Sequence, residues 1–586
     1  MTLAPLTVGI DLGTTNSLCA VFEDGKPRLV PNAHGGVLTP SVVAVLKSGE
    51  VLVGEAAREL RLTDPGRTCA MFKRWMGQGR KIELAGKEFT AAQLSSLVLR
   101  SLVEDVKADL GRAPTSAVIT VPAYFNEHQR RDTRLAGELA GLRVERVVNE
   151  PTAAALSHGY HNSSGISNLL VFDLGGGTFD VTVMEVFEDT LEILSSAGES
   201  HLGGEDFTDK ILAWALGEIG LIFEHAEVQQ PLLVARLRDE AERAKRLFGE
   251  QDQVTLRVPD EAGNVGHGAR SLELGAAHFE ELCEGLIERL RKPVERALRG
   301  ARLGWDQIDD VLMVGGATRM PIIRRFVADL LGRAPQAKLD PDLVVAYGAA
   351  VQVALIADNK AVGDLVMTDV CPFTLGIEVT KELGRREVDG YYLPIIHRNT
   401  TVPVSCEEVV YTLRPNQTTV TVAIYQGEAR RVGDNIKLGE LHVTDIPHGP
   451  AGQEIAVRFT YDLNGLVEVE AYLPATGAKF HTVLTQGVSG LDKRAMKAAL
   501  KDMQKLKFYP RDDLDNQRLL SFAEGTVKEL EGEMRAALEA GIDVYESVLY
   551  SSDREGFAMM RAQLLQQLRD LGFPFPTTPE GESGRD

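Results

Sequence analysis

Two stretches of the chain, "VGIDLGTTNSL" at residues 8–18 and "VFDLGGGTFDV" at residues 171–181, repeat one design. Each is an apolar run of strand length, then Asp-Leu-Gly, then small and hydroxylated residues at a turn before a second apolar run. Glycines at such a turn let backbone N–H groups approach phosphate oxygens, and the threonine hydroxyls add donors. An aspartate at the strand end would repel a phosphate. It becomes useful only with a divalent cation between them, or when it orients an attacking water. One turn alone reads as an ordinary hairpin. Two facing turns make a clamp on the phosphate tail of a nucleotide, one turn from each of two lobes. A Gly-x-x-x-x-Gly-Lys-Ser/Thr motif is absent from the sequence, so the phosphate grip is not of the P-loop kind.

Two further glycine turns support this reading. "VLMVGGATRMP" (311–321) places Gly315 and Gly316 after a strand-like run, suited to close approach by a flat or ribose-like group. "HLGGEDF" (201–207) offers another pair, Gly203 and Gly204. Together they point to an ATP site between two lobes of an α/β domain.

Up to about residue 360 the chain alternates strand-like runs ("SAVITVPAYF", 116–125; "DVLMVGGAT", 310–318) with helical spacing ("EHQRRDTRLAGELAGL", 127–142; "FEELCEGLIERLRKPVERAL", 279–298). After residue 370 the texture becomes β. "TTVTVAIYQG" (418–427) alternates, and "IAVRFTYDLNGLVEVEAYL" (455–473) reads as a hairpin turning at Asn464 and Gly465. Helical spacing returns after residue 489, with Met496, Leu500, Met503 and Leu506, a break at Pro510, then Phe522, Leu530, Met534 and Leu538. The segment from Pro574 onward reads as disordered. The expected divisions are an α/β domain at 1–363, a linker at 364–369, an antiparallel β domain at 370–488, a helical lid at 489–573 and a tail at 574–586. The linker carries Leu365, Val366 and Met367 in a row, so it reads either as an edge strand or as a segment that docks in one state.

A net charge of −21 argues against nucleic acid or anionic membrane as a generic partner. The N-terminal stretch lacks a signal-peptide pattern, and the longest apolar run, near residues 345–357, is too short for a bilayer. Five scattered cysteines (Cys19, Cys69, Cys283, Cys371, Cys406) favour neither a disulfide framework nor a structural zinc site. The expected compartment is the cytosol.

"GIDLGTTNS", "VPAYFN", "NEPTAAAL", "FDLGGGTFDV", "LGGEDF", "AERAKRLF", "VGGATRMP" and "AYGAAVQ" resemble the ATPase domain of the DnaK-type heat-shock chaperones, the seventy-kilodalton heat-shock proteins. The resemblance runs on through "NTTVPV" and "YQGE" from about residue 6 to 572, and is most similar to the specialised bacterial HscC branch. It implies a two-lobed actin-like α/β ATPase domain, a β-sandwich peptide-binding domain and an α-helical lid. Lys73 matches a lysine that stabilises the attacking water and the γ-phosphate; read alone, Lys73 would be a solvated surface lysine. Glu150 and Asp173 match acids that position water, with Thr178 in the same catalytic group. Asp11, Asp173 and Asp180 match carboxylates that hold Mg²⁺ through its water shell and flank K⁺ sites. Gly13, Thr14, Thr15, Asn16, Gly175, Gly176, Gly177, Gly203, Gly204 and Glu205 match phosphate contacts. Glu242, Lys245, Arg246, Gly315, Gly316, Arg319 and Asp342 match the adenosine site of ATP or ADP, although "ERAKR" read alone is a solvated helix face.

The same resemblance places a peptide pocket at Ile377, Val379, Val410, Val420 and Val422, beneath an arch of Thr380 and Leu413. It assigns coupling between the sites to Pro122, Arg146, Leu365, Val366 and Asp369. Implied partners are unfolded client polypeptides and a J-domain co-chaperone docking near Arg146 and Asp369. Gly249 replaces a serine common among relatives, which implies weaker nucleotide binding. The segment after Arg246 is short, which puts the usual exchange factor in doubt. Two rivals share the acid–glycine turns: a small-molecule kinase and a filament-forming actin-like ATPase. Neither has a role for residues 370–573.

Overall fold

The computed structural model describes residues 5–157, 167–187, 190–260, 263–265, 269–335, 339–359, 362, 366–384, 386–462, 467–484, 514–527, 529–530, 532–549 and 554–575. Asn464, Gly465, Leu365, residues 489–513 and the tail beyond 575 lie outside them, and so do Met496, Leu500, Met503, Leu506 and Pro510.

Two sheets of related order carry the two turns. In the first, Arg143–Asn149, Ser116–Val121 and Thr7–Leu12 run parallel, and Thr7–Leu12 pairs antiparallel with Asn16–Glu23, which pairs with Lys26–Leu29. In the second, Asp310–Val314 lies parallel to Ser167–Leu174, and the antiparallel strands Phe179–Phe187 and Thr190–Glu199 follow. The acid–glycine turn sits in each sheet where its first hairpin closes. Registers fall at Asp11 opposite Leu18 and Asp173 opposite Asp180. Runs such as "SAVITV" are buried along their whole length, as the parallel central strands of a two-faced sheet should be.

The helix Glu150–Ser157 carries the chain from the first sheet to the second, and Val344–Ile356 packs back beneath the first. These helices cross with almost no space between them. A Cβ on Gly348 would lie 1.6 Å from the carbonyl oxygen of Ala153. One apolar core joins Val118 and Val148 to Val171, Met184, Val314 and Val344, so the lobes share buried surface at this crossing.

From Leu375 the fold is β. One antiparallel sheet orders Arg386–Ile396, Leu375–Leu383, Val420–Gln426 and Ile436–Val443; the other orders Val404–Tyr411, Glu454–Tyr461, Val467–Leu473 and Ala478–Val483. Ile377, Val422 and Leu441 of the first share a core with Val457, Phe459 and Val469 of the second. The helices Leu514–Val527, Gly532–Leu549 and Arg554–Asp570 form a separate core around Leu519, Leu538, Tyr545, Leu564 and Leu568. The expected stripe through Leu530, Met534 and Leu538 does not hold, because Met534 is 55% exposed. Met534 falls in the first turn of the helix Gly532–Leu549, outside the core that Leu530 and Leu538 enter. Phe575, placed by sequence in a disordered tail, packs edge-on against Phe522 at 5.4 Å.

In the structure the linker takes the edge-strand arrangement. Val366–Met367 forms a fifth strand on the second sheet, parallel to Thr190 and Leu191, and Thr368 N–H donates to the Leu191 carbonyl at 3.0 Å.

Candidate functional site

The two turns face each other across a cleft of about 580 Å³. Their approach is so close that a Cβ on Gly176 would sit 1.8 Å from Thr15 Oγ1. Each turn is strapped from behind. Ser41 Oγ donates to the Gly13 carbonyl at 2.8 Å, and Thr120 Oγ1 donates to Asp11 Oδ1 at 2.9 Å. In the second lobe, Gly204 N–H and Glu205 N–H donate to the carbonyls of Gly175 and Gly176, both at 2.9 Å. That contact brings the N-terminus of the 15-residue helix Gly204–Glu218 to the cleft, a position favourable for an anion.

Lys73 lies on a single 3-10 turn, Phe72–Trp75, which follows Met71 in a left-handed conformation (φ +58°). It is only 3% exposed, and its Nζ donates to Glu150 Oε1 at 2.7 Å. The surface reading of this lysine is therefore wrong. A cation at this depth is held by the acids around it. Burial, then the charge of Glu150, raises the Asp11 carboxyl to about 7, and the same two causes raise Asp180 to about 8. Asp173 is also raised well above the ordinary range, by burial first and by Glu150, Asp180 and Asp11 next. Its Oδ2 is buried without a hydrogen-bond partner, as is Thr15 Oγ1. Buried acids crowded around one lysine, with an orphaned oxygen, suit a bound cation that would keep them ionised. Among the described residues, no three His, Cys, Asp or Glu side chains converge closely enough to ligate an ion directly.

Asp11, Gly13, Thr14, Thr15, Asn16, Lys73, Glu150, Asp173, Gly175, Gly176, Thr178, Gly204 and Glu205 line one end of the cleft. Glu242, Lys245, Arg246, Gly315, Gly316, Arg319 and Asp342 line the other, along with Gly249. Gly177, Gly203 and Asp180 stand just behind the lining. The Gly177 carbonyl accepts from Arg74 Nε at 3.0 Å, Gly203 N–H donates to Asp206 Oδ2 at 2.8 Å, and Asp180 Oδ1 accepts from Tyr124 N–H at 3.0 Å. Half of "ERAKR" behaves as a solvated face: Arg246 pairs with Glu242 at 2.8 Å and is mostly exposed. Lys245 does not. It is buried and donates to the Gly204 carbonyl at 2.8 Å and to Thr208 Oγ1 at 2.9 Å. Arg319 pairs with Asp342 at 2.9 Å and Asp340 at 2.5 Å.

Sequence reasoning missed Arg74, which ties the lobes together through Gly177 and Asp206, although it stands next to Lys73 in "FKRWMG". It also missed Tyr124, which follows Pro122 and Ala123. Besides holding Asp180, Tyr124 packs its ring against Phe373 of the β domain at 4.4 Å. Other contacts bridge the same gap. Glu127 N–H donates to Gln426 Oε1 at 3.1 Å, Asn149 Nδ2 donates to Asp369 Oδ2 at 2.8 Å, and Asn399 Nδ2 donates to Ser195 Oγ at 3.1 Å. Arg146 is half-buried nearby, its Nε without a hydrogen-bond partner. Pro122 is buried at the same junction, where its carbonyl accepts from Phe125 N–H at 3.1 Å.

In the β domain, Ile377 and Val422 are buried in the core, and Val379, Val410 and Val420 are half-buried against it. Thr380 and Leu413 stand further out, Leu413 being 45% exposed. Val420 and Val422 share one face, with Thr421 exposed between them.

A cleft between two lobes, gripped by paired acid–glycine turns and joined to a β domain through a docked strand, defines a two-lobed nucleotide hydrolase with an attached binding module. The comparisons narrow the class. The family model "Hsp70 protein" matches residues 7–85 and 78–547. The chain is 39% identical to "Chaperone protein DnaK" of Deinococcus radiodurans, over 96% of this chain and 94% of that protein. It is 38% identical to the protein of the same name from Deinococcus deserti, with the same coverage, and 40% identical to that of Thermotoga petrophila, over 85% of this chain and 83% of the other. The chain belongs to the Hsp70 family. It is a nucleotide-binding ATPase and an ATP-dependent chaperone of that type.

Proposed function

We propose that residues 1–363 bind and hydrolyse ATP, that residues 364–369 relay the nucleotide state, and that residues 370–488 bind unfolded polypeptide in a β-sandwich beneath a helical lid at 489–573. One observation carries this reading: the segment leading into the β domain completes the same sheet that bears the second phosphate turn. A change at Asp173 and Gly175 thus has a direct mechanical route to residue 367.

The turn amides and Thr14, Thr15 and Thr178 hold the phosphates. Glu242, Lys245, Arg246, Gly315, Gly316, Arg319 and Asp342 hold the adenosine. Asp11, Asp173 and Asp180 would hold Mg²⁺ through its water shell, supplying charge neutralisation on the phosphates, with K⁺ beside them. Glu150 and Asp173 orient the attacking water. Lys73, already desolvated and aimed into the cleft, stabilises charge that develops on the transferring phosphoryl group. Hydrolysis needs no protein nucleophile and serves as a timer. Each ligand biases the same two-state element, docked or undocked.

Clients are extended apolar segments seated at Ile377, Val379, Val410, Val420 and Val422. A J-domain partner docks near Arg146 and Asp369, and the need for an exchange factor is doubtful. Among the described residues no helix is long and apolar enough to cross a membrane, and the cytoplasm is the proposed compartment. The test is release of a labelled apolar peptide on adding ATP: acceleration supports the coupled reading, and an ATP-independent rate overturns it.

A further inference from the structure

The hairpin that bears Thr380 is long, and it is not regular. Its strands Leu375–Leu383 and Arg386–Ile396 pair Val379 with Tyr391, then Lys381 with Val388. Thr380 therefore opposes two residues, Asp389 and Gly390, and Gly390 takes the left-handed conformation (φ +82°) that such a bulge requires. A bulge re-aims the side chain next to it. Here Thr380 Oγ1 donates to Asp389 Oδ1 at 2.6 Å, a hydrogen bond to a carboxylate.

Asp389 is itself held. Its carbonyl accepts from Arg431 Nη1 at 3.0 Å, while Arg431 Nη2 donates to the Tyr391 hydroxyl at 2.9 Å. The Arg431 guanidinium stacks 3.7 Å from the centre of the Tyr391 ring, which is almost wholly buried. Tyr391 and Arg431 also form an isolated antiparallel bridge. Arg431 lies in the connection between Val420–Gln426 and Ile436–Val443. The strand before this connection ends at Gln426, which meets Glu127 of the nucleotide domain, and the connection itself carries Glu428, which accepts from Thr374 N–H at 2.8 Å.

We infer that Asp389 and Arg431 are positioning residues for the peptide arch. They fix the hydroxyl of Thr380 and so set how slowly the arch lets a bound peptide go. The inference rests on the peptide-cleft reading above. A β-branched side chain already has few rotamers, and the hydrogen bond to the carboxylate of a residue whose backbone is held by Arg431 favours one of them. An arch ordered in advance has less freedom to lose when a peptide arrives, which lowers the cost of capture. The same rigidity limits which side chains pass beneath it. Arg431 is bonded to the hairpin that bears the arch and follows Gln426, the residue that meets the nucleotide domain, in the chain, so it is placed to pass the docking state to Thr380.

The test uses the full-length protein with ADP and a fluorescein-labelled, Leu-rich extended peptide. Dissociation is followed by anisotropy after adding excess unlabelled peptide. Thr380→Val, which keeps the shape and loses the hydroxyl, and Asp389→Ala are each expected to speed release by roughly fivefold, the scale of one hydrogen bond. Thr380→Ser, which keeps the hydroxyl, is expected to stay within about twofold of wild type. Thermal melting of each variant reports whether it is folded. Release by Thr380→Val and Asp389→Ala at the wild-type rate overturns the inference, and so does a Thr380→Ser variant as fast as Thr380→Val, since a retained hydroxyl would then not hold the arch. A wild-type protein that captures no peptide overturns the peptide-cleft reading and this inference together. Capture with unaltered release overturns this inference alone.

Discussion

The two sheets of the nucleotide domain begin alike and end differently. Each runs from parallel strands into an acid–glycine hairpin and on to a further antiparallel strand. In the first lobe that strand, Lys26–Leu29, is the last one, only four residues long, with Pro27 in it and Arg28 tied to Asp109 at 2.8 Å. Proline and a paired charge blunt an edge against further pairing. In the second lobe, Thr190–Glu199 has ten residues and takes Val366–Met367 as a fifth strand. The first lobe closes its sheet, and the second offers its edge. In the function proposed here, the same hairpin serves chemistry in one lobe and both chemistry and signalling in the other.

Removing the first lobe's cation is expected to have the largest effect. Lys73→Ala should lower single-turnover hydrolysis by about a hundredfold or more while ATP still binds, because a preorganised charge acts mainly on the transition state. A fall of less than about tenfold in a quench-flow assay would put the developing charge elsewhere.

Next is the second lobe's edge. Changing Leu365 and Val366 both to Asp should remove most of the peptide stimulation of ATP turnover, with basal hydrolysis still measurable. Arg28→Ala, on the closed edge, should leave stimulation within about twofold, as expected of an exposed ion pair. If the two variants behaved alike in a steady-state phosphate-release assay, the asymmetry of the edges would have no bearing on coupling.

A moderate effect is expected from pH. In the docked arrangement burial raises Asp369 to about 6, against the opposing influence of Arg130, Asn149 and Arg146. It raises Glu127 to about 7, against Arg130, Arg134 and Arg131, with Asp462 adding to the rise. A carboxyl whose docked pKa exceeds its free value takes up a proton on docking. Docking should therefore weaken as pH rises from about 4 through about 7, and change little above that. A fluorescence pair reporting the distance between the domains at pH 5.5 and 7.5 should show the docked fraction falling. An increase would mean that these acids ionise in place.

The smallest effect concerns the arch. Thr380→Met with Leu413→Ala should widen the set of peptides bound, each by no more than a few-fold, since a flexible thioether adapts where a β-branched side chain does not. Anisotropy titrations over a peptide panel would show it, and identical breadth would remove Thr380 and Leu413 from control of selectivity.

What the sequence disclosed and what it withheld divide along physical lines. The hairpins at Asp11 and Asp173 were legible because strand period, glycine and turn chemistry are local. The β texture after residue 370 was legible for the same reason. The burial of Lys73 and Lys245 was not, because it depends on Glu150 and Gly204, which lie 77 and 41 residues away. Only the resemblance of whole motifs lifted those lysines above a surface reading. Tyr124, Asn149 and Gln426 lie within "VPAYFN", "NEPTAAAL" and "YQGE", yet nothing in those motifs gave the three a contact to make. Each works across the junction between domains, and nothing in its own neighbourhood announces a partner. The bulge at Thr380 was hidden too, since one unpaired residue leaves the alternation of the hairpin almost intact. Met534 misled because it falls in the first turn of its helix, outside the core that Leu538 enters four residues later.

The crossing of Gly348 over Ala153 makes the two lobes a pair of shears with a rivet rather than a hinge of loose cloth. At a rivet the blades cannot slide or separate, only rotate. Every small turn there is magnified with distance from the crossing, out to the rim of the cleft. A bulkier residue at 348 would act as a wedge under the rivet. It would hold the blades at one angle, and the coupling proposed above would fall silent with both sites intact.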